Sequence, residues 1–331
     1  MPNTKKAHII YHTDADGYCS GAIVYRYLIA NGIATEDIKF HPVKYGDAFP
    51  EEALNKDDLV VIVDFSFPME TMEKVAAVIS WWNLIWLDHH KTSYEEMMAY
   101  PYNSVINTKG RRINSSQPDQ RLAGCELTWD FFNPDAAMPM LVARLGAYDT
   151  WRYTENPDQS YQDRVLNLQE GCCGLPKGGD IADPSALAAW MDLLYDPDNS
   201  KLEDITQNGA EYREKTAKRN AAICSKQAFE TTFAGHRAIA VNATIYSSQL
   251  FLSVYDKKKH DLMVVFSHLK EGYWKLSLYS ENPAIDCGAT CKALSMLDPN
   301  PPTESKGGGH VGAGGFQASW SYLTTLFGGV K

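Results

Sequence analysis

Apolar positions follow two spacings in alternation through the first half of the chain. The segment AHIIYHT, residues 7–13, is apolar and rich in β-branched side chains. The next stretch, GYCSGAIVYRYLIANG, residues 17–32, repeats its apolar positions at helical spacing until Asn31-Gly32 stops it. This predicts strand, loop, helix. The pattern recurs in IKFHPV (38–43), in DLVVIVDFSF (58–67) leading into a helix over about 68–80, and in LIWLDHH (84–90). Continuous apolar strands separated by helices predict a parallel sheet covered on both faces, an α/β fold. AGCELTWDFF (123–132) and MPMLVARLGAYDTW (138–151) predict two more helices, with Asp149 at the end of the second.

The texture then changes. Segments 156–162, 171–184 and 195–200 are rich in turn residues, and 201–233 reads as one long polar helix. Beyond Gly235, strand-like runs return in RAIAVNAT, DLMVVFSH and YWKLSLYS. The organisation expected is an N-terminal parallel-sheet domain over 1–200, a helical linker over 201–234, and a smaller C-terminal α/β domain over 235–331. No internal repeat is visible.

Composition narrows the chemistry. With 44% apolar and 22% charged residues among 331, the chain reads as globular. A formal net charge of −10 opposes adhesion to long polyanions, because phosphate backbones are bound through clustered Lys and Arg. A small anionic substrate held through metal ions remains compatible. Residues 1–17 read neither as a signal nor as a transit peptide, and no apolar run approaches membrane-spanning length. Seven cysteines without paired C-x-x-C spacing point to no disulfide framework and fit a reducing cytoplasm.

The acids converge. Three apolar strands end in His12, Asp14 and Asp16, in Asp64, and in Asp88, His89 and His90. In an open parallel sheet the carboxyl ends of the strands share one edge, where ligands bind. Carboxylates gathered there repel one another unless cations lie between them, and Asp with His suits divalent ions such as Mn²⁺ or Mg²⁺. The ligand set is large enough for two ions sharing one carboxylate. Taken singly, each acid also reads as a turn former or helix N-cap, and Asp88-His89-His90 as a hydrogen-bonded loop.

With HTDADGYCSGA, the Asp of VIVDF, the DHH triplet, the Asp of GAYDTW and the run GGGHVGAGGF, nearly the whole chain resembles the DHH phosphoesterase superfamily, in the branch with a C-terminal DHHA1 domain. The resemblance implies two Mn²⁺ ions per site, with Mg²⁺ as an alternative. It assigns Asp14 to one ion, with His12 beside it, and Asp16, His89 and Asp149 to the other, and makes Asp64 the bridge. His90 would face the scissile phosphate and Asp88 would orient its neighbours, which with Asp64 makes the catalytic group. Two departures stand out: Ile10 occupies the position four before Asp14 where many members place a histidine, and Tyr279 replaces an arginine before Ser280.

Six glycines surround His310 between residues 305 and 319. Glycine lets main-chain amides come close to an anion. In the family the run belongs to substrate binding, which assigns Gly307, Gly308, Gly309, His310 and Ser280 to the substrate. A turn linking core elements is the competing reading. Trp81, Trp82, Trp86 and Trp151 read as core or interface, with Trp151 placed near enough to Asp149 to line the cleft. Cys19 reads as a small helix-start residue.

The function implied is hydrolysis of short oligonucleotides or small nucleotide phosphoesters by metal-activated water. The alternatives are a RecJ-like single-strand exonuclease and a non-catalytic nucleotide sensor. A cytoplasmic location, no membrane partner and a homodimer are compatible with the sequence.

Overall fold

The computed structural model describes residues 6–50, 54–79, 83–90, 121–245, 247–302 and 307–328. The chain divides into two compact units, Met1–Arg213 and Glu214–Lys331. Among the described residues no helix is long and apolar enough to cross a membrane.

The first unit holds a four-stranded parallel sheet of β1 (Ala7–His12), β2 (Ile38–Val43), β3 (Leu59–Val63) and β4 (Leu84–Leu87), in the order β2-β1-β3-β4. β3 and β4 are apolar without interruption and lie between two cores, whereas edge strand β2 carries Lys39 and His41 and is only partly covered. Ile9, Tyr11, Val61, Val63 and Leu87 face one core, together with α1 (Ala15–Ala30), α3 (Gly124–Phe132) and α4 (Met140–Asp149). Ile10, Val60, Ile62 and Trp86 face the other, with α2 (Met69–Ile79). Each fully buried aliphatic side chain contributes roughly 1.5–3 kcal/mol to this packing. Ile10, at the position where many family members carry a histidine, is wholly buried in the second core.

The strand order reverses between β1 and β3, since β2 lies outside β1 on one side and β4 outside β3 on the other. Such a switch point opens a crevice at the carboxyl ends of the two strands. These are the ends that carry His12, Asp14 and Asp16, and Asp64.

Between the turn-rich segments lie two helices that the pattern did not predict, α5 (Gln159–Cys173) and α6 (Pro184–Leu194). Their starts are marked by Asp158 and Asp183, whose carboxylates accept from the Ser160 and Ser185 amides, with Pro184 in the first turn of α6. The long helix α7 runs Ser200–Gln227, so the boundary between the units falls inside it, and the final residues of the expected linker form β5 (Ala228–Phe233) instead. A Cβ on Gly209 would lie 1.8 Å from the Asn167 carbonyl oxygen, and one on Gly171 would lie 2.2 Å from that of Ile205, so α5 and α7 cross at glycine contacts.

The second unit is a six-stranded mixed sheet in the order β5-β6-β7-β8-β10-β9, with β6 (His236–Asn242), β7 (Leu262–His268), β8 (Trp274–Tyr279), β9 (Gly308–His310) and β10 (Ala313–Ala318). Among the described strands only β6 and β7 pair in parallel. Helices α8 (Cys287–Met296) and α9 (Trp320–Leu326) complete it.

The glycine contacts between α5 and α7 give a stability test. Gly209→Ala gains about 1 kcal/mol of helix propensity, but the collision with a backbone oxygen outweighs it. A net loss of about 1–3 kcal/mol is expected, seen as a lower urea midpoint. An unchanged midpoint would show that the helices separate without cost.

Candidate metal centre

Each site residue is fixed by a local backbone requirement. Asp14 is the N-cap of α1: one carboxylate oxygen accepts from the Gly17 amide at 2.9 Å and the other lies 2.6 Å from His12 Nδ1. The N-cap reading and the ligand reading of this acid are therefore compatible. A Cβ on Gly17 would lie 2.1 Å from the His12 carbonyl oxygen, so the tight turn into the helix requires glycine. Asp16, in the first turn of α1, is buried and accepts from the amides of Gly124 and Cys125 at 2.8 and 2.7 Å. It thereby holds the N-terminus of α3, where free N–H groups favour an anion.

Asp64 follows β3 in a left-handed conformation, φ 54°, which aspartate tolerates better than most residues. Its amide donates to Leu87 at 2.8 Å. A Cβ on Gly124 would lie 2.6 Å from the Asp64 Cβ, so α3 begins with the residue that lets it close over this acid. Asp149 ends α4.

Among the described residues the donors fall into three overlapping groups, one of them Asp64 with Asp88, His89 and His90. His12, Asp14 and Asp64 offer atoms within 4.8 Å of one another, and so do Asp16, His89 and Asp149. The two oxygens of Asp64 divide accordingly. Oδ2 is 3.9 Å from His12 Nδ1, and Oδ1 is 3.2 Å from His89 Nε2. His89 Nε2 also lies 3.2 Å from Asp149 and 3.8 Å from Asp16. Asp64 Oδ1 is buried and has no hydrogen-bond partner among the described residues. A buried carboxylate oxygen left so is costly unless a cation takes it. The oxygen and imidazole donors, and the way they are shared, fit two hard or borderline divalent cations.

Burial pushes the Asp64 carboxyl well above the usual carboxylate range, and the nearby Asp16, Asp14, Asp149 and Asp88 push it the same way. Asp149 is raised to about 8 by burial and by Asp16 and Asp14. Burial holds His89 below its ordinary value, which leaves a neutral imidazole suited to a metal.

Asp88 does something different. Burial works against its charge, but a hydrogen bond with His90 and one from Ser66 hold its carboxyl below the usual range. One oxygen gathers the His89 amide at 2.8 Å and His90 Nδ1 at 2.6 Å. Burial opposes the charged His90 ring, yet the Asp88 partner raises its proton affinity above the ordinary histidine value. With Nδ1 engaged, Nε2 is the nitrogen His90 has free to use.

Other residues at this edge carried no clear sequence signal. Glu126 in α3 accepts from the Ala123 amide at 2.9 Å and from Arg152 at 2.5 Å, behind Asp16 and Asp149. Tyr45 follows β2, and its ring centroid lies 5.3 Å from that of His12 and 5.2 Å from that of Phe65, and meets His90 edge-on at 5.7 Å.

The tryptophans separate. Trp86 is core and donates to the Phe65 carbonyl. Of the readings offered for Trp151 the core one falls, since it is 69% exposed in a left-handed backbone conformation, φ 61°, where the chain turns sharply out of α4 after Asp149. Trp81 and Trp82 lie outside the described residues. Cys19 is buried in the core.

In the second unit the glycine run is a strand pair. Gly308–His310 runs antiparallel to β10, with Gly309 at φ 144°. Gly307 is buried, donates to Ser295 and leaves no room for a Cβ against the Cys291 carbonyl. Gly308 has open space where a side chain would be. The Ser280 hydroxyl donates to the Asp261 carbonyl and accepts from the Asn282 amide.

The switch point of the parallel sheet thus gathers donors suited to divalent cations around Asp64. Residues 6–150 match the family model described as DHH family, N-terminal domain. It is 26% identical over 155 residues to an uncharacterized protein of Acanthamoeba polyphaga mimivirus, a match covering 44% of this chain and 33% of the viral protein. The chain thus spans about a third of that relative's length.

Three solved structures share the fold. A DHH-domain protein described as a member of the s1p family of ribosomal proteins matches with a TM-score of 0.62 at 13% identity, over 98% of this chain and 86% of that one. The pGpG-specific phosphodiesterase PggH of Vibrio cholerae matches at 0.50 and 12%, over 96% and 94%. RecJ of Thermus thermophilus, in complex with Mn²⁺, matches at 0.50 and 14%, over 97% of this chain and 51% of that one.

The raised acids give a stability test. A carboxyl whose folded value lies near 8, above an unfolded value near 3.8, contributes stability that is present below pH 4 and is lost as pH rises through 8. Metal-free Asp149→Asn should therefore melt higher than the parent at pH 8, with the gap closing towards pH 4. A parent that melts higher at pH 8 after chelation would show that the acids are not in conflict.

Proposed function

We propose that the chain is a two-metal phosphodiesterase acting on short oligonucleotides or small nucleotide phosphodiesters, with Mn²⁺ as its ion and Mg²⁺ as a substitute. The observation that carries this reading is the division of the two Asp64 oxygens between the His12/Asp14 group and the Asp16/His89/Asp149 group. Bound there, two divalent ions would supply a water nucleophile near neutral pH and offset charge building on the phosphate. The protein's part is to hold donors and protons in place. Asp64 holds both ions, and Asp16 is fixed for its ion by the start of α3. Asp88 accepts from Nδ1–H and favours the protonated ring, and in that imidazolium form Nε2–H can be presented to a phosphate oxygen.

The substrate class rests on charge and extent. A net charge of −10 disfavours each further phosphate lying beyond the metal pocket. The likeness to the pGpG-specific phosphodiesterase takes in 94% of that protein, and the likeness to RecJ about half of RecJ. The second unit is assigned to the nucleotide through Gly307, Gly308, Gly309, His310 and Ser280. In support, β9 is the edge strand of its sheet, and such an edge has main-chain groups to offer a ligand. Tyr279 beside Ser280 offers a ring where many relatives carry an arginine.

Removal of metal tests the reading. Dialysis against EDTA should abolish phosphodiester hydrolysis, and Mn²⁺ should restore it. Asp64→Asn should lower both metal content and kcat, the latter by several orders of magnitude, whereas His90→Ala should keep its metal and lose about 10²–10³ in kcat. Activity that survives chelation, or equal metal loss in the two variants, would overturn the assignment.

Chain length separates the substrates. Hydrolysis should be fastest on dinucleotides and fall towards twenty-residue strands, and His310→Ala should cost most on the shortest. Faster attack on long single strands would establish a RecJ-like exonuclease, and nucleotide binding without turnover would establish a sensor.

A further inference from the structure

We propose that Tyr45 is a catalytic residue of this site, its phenol donating a hydrogen bond to a non-bridging oxygen of the phosphate held by the metals. This rests on the phosphodiesterase reading and adds to it a donor from outside the acid and histidine motifs.

Three observations place the residue. The first is the turn that carries it. Lys44 to Asp47 closes at the carboxyl end of β2, with the Asp47 amide donating to the Lys44 carbonyl at 3.0 Å and the Asp47 carboxylate accepting from the Lys44 amide at 2.8 Å. Gly46 takes φ 99°, a conformation costly for any other residue, and Tyr45 precedes it in the position such a turn presents outward. Since β2 pairs with β1 so that Val43 lies opposite His12, the turn stands beside the start of the Asp14 turn.

The second is the ring's setting. Phe49, Phe67 and Phe65 form a chain of edge-on contacts at 5.1 and 4.9 Å rising from the core, and Tyr45 continues it at 5.2 Å. Its ring then touches both His12, at the first donor group, and His90, at the proposed phosphate contact. The aromatic floor fixes the ring between two imidazoles that belong to different parts of the site.

The third is the hydroxyl. Among the described residues it makes no hydrogen bond, and the residue is 59% exposed although its ring is packed. A phenol held at the rim of a cluster of carboxylates, and not bonded to any of them, has a donor available. A phosphate neutralised by two cations between His12 and His90 is the acceptor its position suits, and donors fixed in advance of the reaction are the effective ones.

Tyr45→Phe keeps the ring contacts and removes only the donor, so it isolates the proposal. In the Mn²⁺-loaded protein it should weaken binding of inorganic phosphate, measured by calorimetry, about 10-fold. It should also lower kcat on a dinucleotide about 10–100-fold, with metal content equal to the parent. Tyr45→Leu should lose at least as much. Unchanged phosphate affinity and kcat in Tyr45→Phe would overturn the proposal. So would loss of metal, which would make Tyr45 a support of the His12 group. A parent-like Tyr45→Phe beside a Tyr45→Leu impaired only on nucleotides would make the ring a base platform and overturn it too. If the parent binds phosphate but hydrolyses no phosphodiester, the phosphodiesterase reading falls, and the phosphate titration still decides whether Tyr45 is a phosphate donor.

Discussion

Five carboxylates, Asp14, Asp16, Asp64, Asp88 and Asp149, share one edge of one small sheet, and their mutual repulsion is the constraint to which the surrounding structure answers. Each is handled by a different device. Asp16 accepts from the two amides at the start of α3, and Asp14 caps α1 and lies against His12. Asp88 is surrounded by donors from Ser66 and the two histidines. Asp64 and Asp149 are left over, and they are the acids pushed upward by burial and by their neighbours. Asp64 and Asp149 are thus the two acids whose charge the surrounding protein most opposes.

The supporting residues follow from that division. Gly17, Gly124 and Gly146 stand where a Cβ would strike His12, Asp64 and Glu126, at 2.1, 2.6 and 2.3 Å. All three meet residues of this edge or the acid that backs it, so they serve the close approach of polar groups and not chain flexibility. Behind the edge Arg152 pairs with Glu126, the acid whose charge adds to the repulsion felt by Asp149. Stability and chemistry are in tension here, as is usual where charge is concentrated for use.

Much of this was legible in the sequence because two periodicities carry it. Uninterrupted apolar strands revealed a sheet covered on both faces, and strands ending in Asp or His revealed where a site would form. What the pattern did not reveal has a physical reason in each case. Helices α5 and α6 were hidden because Asp158 and Asp183 serve equally as turn formers and as N-caps. The glycine run gave no strand signal, since Gly308 and Gly309 have no side chains to alternate, yet it pairs with β10. Trp151 is exposed because a backbone turn after α4, not hydrophobicity, sets its direction. Tyr45 went unremarked because an aromatic residue before glycine reads as an ordinary turn until the ends of β1 and β2 are brought side by side.

Two of the donor groups also differ in how open they are. In one, the side chains of Asp16, His89 and Asp149 are 3%, 15% and 29% exposed; in the other, those of His12 and Asp14 are 20% and 41% exposed. Asp16 is locked by two backbone bonds, whereas Asp14 sits at a helix end that fraying can loosen. On the proposed ligand set the two ions would therefore exchange with solvent on separate clocks. The one beside Asp16 would remain through many turnovers, and the one beside Asp14 would come and go with the cation supply. A site of this kind takes its rate from the scarcer, looser ion, so its activity would follow the free metal concentration while its fold did not.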